Sequence, residues 1–587
     1  MSNSSDNIVQ DNSTEKPGLF KHEDYWAIWL GFAILIIGMF LFLPNQPKDM
    51  HNIITSSNTT IAAEEARAPF RTIAWHDAND KKSSLRGRNV DGLGKTLGSY
   101  LERPKRWKDS PLESFYLSKE AAAAKAEAAK PRHEEAKAKL TSARTQAQQA
   151  EDIAAANGFE NAYFNEAARN AISDWRKARD AESKARSAAN AKPYNLIPGL
   201  IVLMIGTAVL FAIGAAIMGW NVSGFLIGFP AVFILATLAF FVANQTEVRA
   251  YGLSYVLWAV IFGMVISNTI GTPKWINPAV QTEYFIKTGL VLLGASILFT
   301  KILLIGIPGV FITWVVTPIV LIVTYWFGQK VIKIESKTLN IVVSADMSVS
   351  GVSAAIATAA ACKAKKEELT LAISISILFT AIMIFAIPAI AKGVGMHEVL
   401  AGAWMGGTID ATGAVVAAGA LISDTAMHVA ATIKMIQNIM IGAIAFGVAA
   451  YWTTVVERNP GAAKMSFGGA MGEIWARFPR FILGFIAASI LFSLMIISMG
   501  NDAGRVMVED GILRGWANGL RTWFFCLAFV CIGLAANFRD LSHLLKGGKP
   551  VTLYVCGQSF NLVLTLLMAW LMFFVAFPWV TESLMAS

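Results

Sequence analysis

The stretch Gly402–Gly413, reading GAWMGGTIDATG, and its continuation to Gly419 set one carboxylate and two threonines among closely spaced glycines. Membrane-length apolar runs flank it on both sides. A carboxylate in lipid costs at least a few kcal/mol, so an ionisable residue there marks a functional site by default. Asp410 is the candidate binder of a coupling ion, Na+ or a proton, with Thr412 beside it. Glycine lets a helix unwind or pack closely, which makes Gly407 and Thr408 candidate substrate contacts. The alternative is a glycine-rich packing face whose aspartate reaches interfacial water. A second segment, Ser344–Ala355, reads SADMSVSGVSAA. Its hydroxyls and loose backbone suit an oxyanion or, through carbonyls, a small cation. Ser348, Ser350, Gly351 and Ser353 are candidate substrate contacts there, and Asp346 a second coupling-ion residue; small-residue helix packing is the competing account. Lys434 either pairs with Asp410, neutralises a bound anion, or snorkels to the headgroups. Gln558, Ser559 and Asn561 form a smaller polar group in the last apolar run.

No nucleotide-binding P-loop, paired metal ligands or nucleophile motif accompanies these residues. An ATP-driven pump or intramembrane enzyme is disfavoured, and no metal or cofactor is expected. A gradient-driven carrier needs nothing that is missing.

These residues must be held by membrane helices. The chain has 587 residues, 55% of them hydrophobic and 16% charged, with a mean hydropathy of +0.49. Such a chain is an all-α polytopic membrane protein. The polar segment 1–23 is expected to be disordered, and 24–44, with Trp26 and Trp29 at one end, to be a membrane anchor rather than a cleaved signal. Residues 45–193 hold no membrane-length run and read as an extracytoplasmic helical hairpin domain with an alanine seam, broken at Pro131 and Asn157–Gly158. The transporter domain is 194–587. Spans are expected at about 195–219, 222–243, 250–269, 285–305, 308–328, 339–361, 368–392, 399–421, 430–453, 479–499, 517–537 and 551–577. With the anchor that makes about thirteen, of which 339–361 and 399–421 are broken or re-entrant.

Loop charges favour a cytoplasmic N-terminus, placing the 45–193 insert outside and, for an odd count, the C-terminus outside too. Lys330, Lys333, Lys337 and Lys549 then lie inside, and Lys363, Lys365, Lys366 and Arg521 outside. The formal charge of +9 fits this bias and phospholipid headgroups better than nucleic acid. Cys362, Cys526, Cys531 and Cys556 lack metal-like or disulfide-like spacing and read as small core residues.

Lys287–Phe299 and Cys526–Phe538 align with Gly294 on Gly533 and Phe299 on Phe538. Their helices lie seven positions apart, an odd offset that implies opposite directions through the membrane and an inverted-topology repeat. Carriers bind substrate where such discontinuous helices meet, so Gly294, Ser296, Gly533 and Asn537 join the candidates.

From Tyr251 onward, five features in order resemble the bacterial sulfate exporter family, membrane proteins named largely by inference. They are the Gly289–Ser296 helix, the Ser348–Ala355 segment, the segment ending at Gly419, the Lys434 helix and the Gly533-Leu534 helix. The resemblance implies an inverted-repeat fold with two crossed broken helices, elevator-type alternating access and a homodimer in the inner membrane. Where the family carries cysteine, histidine and a further basic residue, this chain has Ser350, Asp410 with Ala411, and Gln437. The pocket is therefore less cationic, and Asp410 gains weight as the coupling group. The leading reading is a secondary carrier of a small anion such as sulfate, sulfite or a sulfonate, coupled to Na+ or H+. The alternatives are a cation/proton antiporter and a membrane sensor or scaffold with a helical docking arm.

Overall fold

The computed structural model describes residues 18–457, 472, 474–538 and 548–585. Most of the segment expected to be disordered lies outside the described residues. Almost all the described residues are helical, and the one sheet among them pairs Tyr116–Leu117 antiparallel with Tyr194–Asn195. The protein is an all-α polytopic membrane protein. Nine helices among the described residues are long and apolar enough to cross a membrane, and three apolar helices are shorter.

Two compact units emerge, one built from residues 1–34, 204–493 and 520–587, the other from 35–203 and 494–519. After α1 (Glu23–Phe42), which begins in the first unit, the second unit holds α2 (Met50–Arg67), α3 (Ile73–Ser84), α4 (Leu93–Ser99), α5 (Lys119–Ala156) and α6 (Ala162–Ala189). The α5–α6 hairpin turns at Asn157–Asn161, but Pro131 does not divide α5, which continues through it for 38 residues. Proline removes one intrahelical hydrogen bond; α5 tolerates the loss because α6 packs along it on both sides of that turn. Alanines do form the seam, with Ala147, Ala154 and Ala168 fully buried. Its anchor is aromatic, however: Trp175 packs with Ile73, Ala147 and Ile172. At the other end of this unit, Gly87 lies against Val506 and Gly511, and Gly98 against the Gly515 carbonyl, too close for any side chain. Asp510, 2% exposed, sits between Arg88 at 3.6 Å and Arg86 at 3.9 Å.

In the first unit, α7 (Ile197–Ile217), α8 (Val222–Ala243) and α9 (Tyr255–Thr269) are followed by α10 (Thr282–Ser296) and α11 (Phe299–Ile332). The break between the last two falls at Ile297–Leu298 rather than at the expected boundary near Pro308. Pro308 lies inside α11, and a wider turn of helix follows it at Phe311–Val315. The true break is held from the side, where Ser489 donates to the Ile297 carbonyl and the Phe299 amide donates to Ser493 at 2.9 Å.

Beyond α11 come two pairs of half-helices. The first is α12 (Lys337–Ser348) and α13 (Val352–Ala361), followed by α14 (Lys366–Gly393). The second is α15 (Glu398–Thr408) and α16 (Thr412–Ile422), followed by α17 (Asp424–Val456). Each pair turns back on itself. If α15 and α16 passed straight through, residues 398 and 423 would stand about 37 Å apart; instead the Ser423 hydroxyl donates to the Glu398 carboxylate. Gly402 and Gly406 on α15 press against Ala426 and Ala430, and Gly419 on α16 against Met427, so both arms lie along the same half of α17. In the first pair, Ser336 and Thr338 both donate to Glu368, which joins the start of α12 to the start of α14. Of the two options the sequence leaves open for 339–361 and 399–421, broken or re-entrant, the structure has re-entrant hairpins.

The hairpins enter from opposite faces. The base of the first lies with the end of α11 and the start of α20 (Lys549–Ala576), where Lys549 donates to the Lys333 carbonyl at 3.1 Å. The base of the second lies with Ile305, Ala569 and Phe573, in one apolar cluster with Val399. A hairpin followed by a spanning helix thus occurs twice in opposite sense. Lys363, Lys365 and Lys366 consequently share a face with Lys330, Lys333, Lys337 and Lys549, not the opposite face expected from counting α12–α13 as a crossing. The remaining long helices are α18 (Phe481–Met499) and α19 (Asn501–Ala535).

In the second unit, His76 lies edge-on to Trp75 and Trp175. Burial, with Arg176, Arg71 and Arg179 nearby, pushes its pKa down to about 4. The folded form therefore disfavours the proton that the unfolded chain takes up near pH 6.5, so stability falls as pH drops from 6.5 towards 4 and levels off below. His76→Leu is expected to flatten that part of the pH profile of the thermal midpoint, and a wild-type profile already flat there would contradict it.

Candidate functional site

The tips of the two hairpins touch. They are Val349–Gly351 and Ile409–Ala411, and a Cβ added at Gly351 would lie 3.2 Å from the Asp410 Cβ and 3.3 Å from Ser376 Oγ. Gly351 has φ +64°, a left-handed conformation that favours glycine. A side chain at that position would strain the backbone and press on Asp410 and Ser376.

Each hairpin's first arm ends at the tip and leaves backbone carbonyls without helical partners, deep in a region where no bulk water can serve them. Side chains from α17 and α20 take that role. Gln437 Nε2 donates to the Ser348 carbonyl at 3.2 Å and to the Gly407 carbonyl at 3.1 Å, so a single amide joins both tips. Lys434 Nζ donates to the Val349 carbonyl and to Gln437 Oε1, both at 2.7 Å. Asn561 serves the Met347 carbonyl at 3.2 Å and Gln558 the Thr408 carbonyl at 2.9 Å. The second arms, α13 and α16, begin at the same place, so two helix N-termini with their partial positive charge face the junction.

The ionisable groups are deeply buried: Asp346 is 0% exposed, Asp410 1% and Lys434 1%. Tyr554 donates to Asp410 Oδ2, and Ser376 to the same atom at 3.4 Å. Asp410 Oδ1, both carboxylate oxygens of Asp346, the hydroxyls of Ser350 and Thr408, and Gln558 Oε1 are buried with no protein partner. The two carboxylates and Lys434 lie within one another's electrostatic reach. No ion pair joins Lys434 to Asp410 among the described residues; its ammonium is spent on the Val349 carbonyl and Gln437. Its burial also rules out snorkelling.

The junction brings together Asp346, Ser348, Ser350, Gly351, Gly407, Thr408, Asp410, Thr412 and Lys434. Thr412 accepts from Asn438 at 3.0 Å, and Gly407 is pressed against Thr565 and Ile312. Ser353 stands on α13 with its side chain exposed. The aligned glycines lie elsewhere: Gly294 meets the Phe485 backbone, and Gly533 meets Val260 and Gly263. Ser296 accepts from Arg521 at 2.7 Å. Asn537 follows the end of α19, where Ser267 and Asn268 hold the Ala536 carbonyl. Sequence reasoning missed Ser376, the Gln437 staple and Tyr554. Tyr554, Gln558 and Asn561 fall at i, i+4 and i+7 on one face of a helix, a spacing that could have revealed them. No cluster of three or more His, Cys, Asp or Glu exists among the described residues, and the oxygens present suit a hard monovalent cation or protons.

Two opposed re-entrant hairpins around buried carboxylates, set in a bundle of long apolar helices, define a polytopic membrane protein with an enclosed polar centre. Residues 227–553 match the family described as Conserved hypothetical protein 698. A UPF0324 membrane protein of Nitratidesulfovibrio vulgaris (strain Hildenborough) is 53% identical over 589 residues, covering 100% of both chains. One from Rhodopirellula baltica is 56% identical over 379 residues, 65% of this chain and 68% of that protein. The UPF0324 inner membrane protein of Escherichia coli (strain K12) is 25% identical over 333 residues, 56% of this chain and 88% of that protein. No solved structure matches. The chain belongs to the UPF0324 membrane protein family, whose members are named only as membrane proteins.

Removing Gln437 leaves two buried carbonyls without a donor, each costing about 1–3 kcal/mol. Gln437→Ala is expected to lower the thermal midpoint of the purified protein markedly more than Gln329→Ala, a change near a helix end. Equal midpoints for the two variants would remove the staple from the account.

Proposed function

We propose that the protein is a secondary carrier of a small anion, sulfate, sulfite or a sulfonate, coupled to Na+ or H+ through Asp346 and Asp410. The observation that carries this reading is the contact of two opposed hairpin tips at Gly351 and Asp410, with unpartnered carboxylate oxygens beside two helix N-termini. With both carboxylates ionised and only Lys434 to balance them, the junction repels an anion. A bound cation or proton cancels that charge and lets the N-termini of α13 and α16 hold the anion, so each ligand favours the state the other needs. Because the hairpins open to opposite faces, movement of the tip region relative to the rest of the first unit gives alternating access.

The bilayer is the inner membrane, as in the printed name of the Escherichia coli relative. The face carrying Lys330, Lys333, Lys337, Lys363, Lys365, Lys366 and Lys549 is cytoplasmic. A second reading, cation/proton antiport with no anion carried, draws on the unpartnered groups being mostly acceptors.

The test is flux in liposomes containing the purified full chain. Labelled sulfate, sulfite and a sulfonate are offered with and without an inward Na+ or proton gradient. Gradient-dependent anion uptake that falls at least tenfold in Asp410→Asn supports the carrier. Uptake unchanged in that variant removes Asp410 from coupling, and Na+ flux driven by a pH gradient without added anion favours the antiporter.

A further inference from the structure

One guanidinium of the first unit is buried without an acid. Arg480, the residue before α18, is 6% exposed. Its amide donates to Asp24 Oδ2 at 2.8 Å, but the same carboxylate is already held by Lys287, whose Nζ lies 2.9 Å from Oδ1. The Arg480 side chain makes no hydrogen bond or ion pair among the described residues, and its Nη1 is fully enclosed. Nε and Nη2 are not enclosed, so that edge of the fork reaches the surface. The guanidinium lies over the Trp475 ring, 4.6 Å from its centroid, and 5.9 Å from the centroid of Phe478. An aromatic face attracts the charge but accepts none of its N–H groups in the plane of the fork. A buried charge left in this way is strongly destabilising unless something outside the chain pairs with it.

The setting says what that partner is. Arg480 stands at the end of the membrane-length helix α18, and its bond to Asp24 puts the starts of α1 and α18 at one face. Trp475 is exposed and stacked on Phe478, with centroids 5.4 Å and planes 14° apart; such rings belong at the level of lipid headgroups. The Trp475 indole N–H has no acceptor among the described residues, so it is a second open donor. The start of α18 adds the partial positive charge of a helix N-terminus. It adds no spare amides, since those of Ile482 and Leu483 go to the Pro479 and Arg480 carbonyls at 3.2 and 2.9 Å. A planar fork that reaches the surface suits two oxygens of one phosphate.

We propose that Arg480 and Trp475 form a site for the phosphate of an anionic phospholipid headgroup, at the face where α1 and α18 begin. Free phosphate shares this chemistry, but the exposed indole and the apolar flank of α18 favour a ligand that carries acyl chains. The site also has a mechanical setting. Arg477 Nη1 donates to the Ala357 carbonyl of α13 at 3.2 Å, and Gly442 of α17 lies against the Ile474 backbone. Residues 474–480 thus join the first hairpin and α17 to α1, and a headgroup on Arg480 steadies that junction. The proposal does not depend on what the protein carries.

The experiment is thermal unfolding of the delipidated full chain in neutral detergent, titrated separately with phosphatidylglycerol, phosphatidylcholine and inorganic phosphate at constant ionic strength. Phosphatidylglycerol is expected to raise the midpoint well beyond the other two. Arg480→Gln is expected to raise the half-maximal phosphatidylglycerol concentration about tenfold, Arg480→Lys, which keeps the charge but not the fork, about threefold, and Lys330→Gln, at an exposed lysine, to leave it within twofold. Without lipid, Arg480→Gln is expected to unfold no lower than the wild type, because it removes an unpaired charge. A merely structural arginine gives the opposite result, and a glutamine variant that unfolds well below the wild type without lipid, yet keeps its phosphatidylglycerol response, overturns the site. A response unchanged in both Arg480 variants overturns it as well, and so does an equal response to phosphatidylcholine. Inorganic phosphate that reproduces the full shift overturns the lipid assignment and leaves a site for a free anion. The lysine variant decides the matter alone if the glutamine variant does not fold.

Discussion

A helix that ends in the middle of a membrane leaves carbonyl groups that water cannot reach, and the centre of this protein is arranged around that problem. Two half-helices end within contact of each other, and their last carbonyls are taken up by Lys434, Gln437, Gln558 and Asn561. Each donor comes from a long helix that passes beside the tips rather than from the hairpins themselves. The hairpins are thus fixed by their neighbours, and the polar side chains most deeply buried in α17 and α20 have structural partners. What is left over is informative: the atoms that remain unpartnered are chiefly carboxylate, hydroxyl and amide oxygens. A junction that satisfies its carbonyls but leaves its carboxylates open is ready for a cation or a proton, since an unpaired buried charge is the costliest group a protein can hold.

Lys434 illustrates how a charge can be present without acting as a charge for a ligand. In the sequence it stands twenty-four positions after Asp410 and invites an ion pair. In the structure its ammonium donates to a carbonyl and to a glutamine oxygen, so its positive charge moderates the field of both aspartates without an ion pair to either. The site is therefore less basic towards a ligand than its composition suggests.

Much of this was legible in the sequence, and the reason is energetic. Asp410 and Asp346 stand out because apolar surroundings make any carboxylate conspicuous, and the glycines and serines around them announce interrupted helices. The sense of the interruption was not legible. A break that continues across the membrane and one that returns both need small residues and a few extended ones; only the Ser423–Glu398 and Ser336–Glu368 bonds, between residues far apart along the chain, distinguish them. The same limit misassigned Lys363, Lys365 and Lys366 to the opposite face. Gly294 and Gly533 showed a different weakness: their shared pattern reflects close backbone approach, to Phe485 in one case and to Val260 and Gly263 in the other. Tyr554 and Ser376 escaped notice because single hydroxyls in apolar helices carry no signal until their partners are known.

The placement of Tyr554, Gln558 and Asn561 on α20 has a consequence for how the protein is made. Both hairpins emerge from the ribosome well before α20, the last long helix described, so neither tip can be completed when it first enters the bilayer. Until that helix arrives, the Met347 and Thr408 carbonyls and the Asp410 carboxylate lack their final donors, and the half-helices have reason to stay near an aqueous surface. Assembly of the polar centre is accordingly a late event, gated by the C-terminal part of the chain. Quality control that senses unsatisfied polar groups within the membrane would read the docking of α20 as the sign that the molecule is finished.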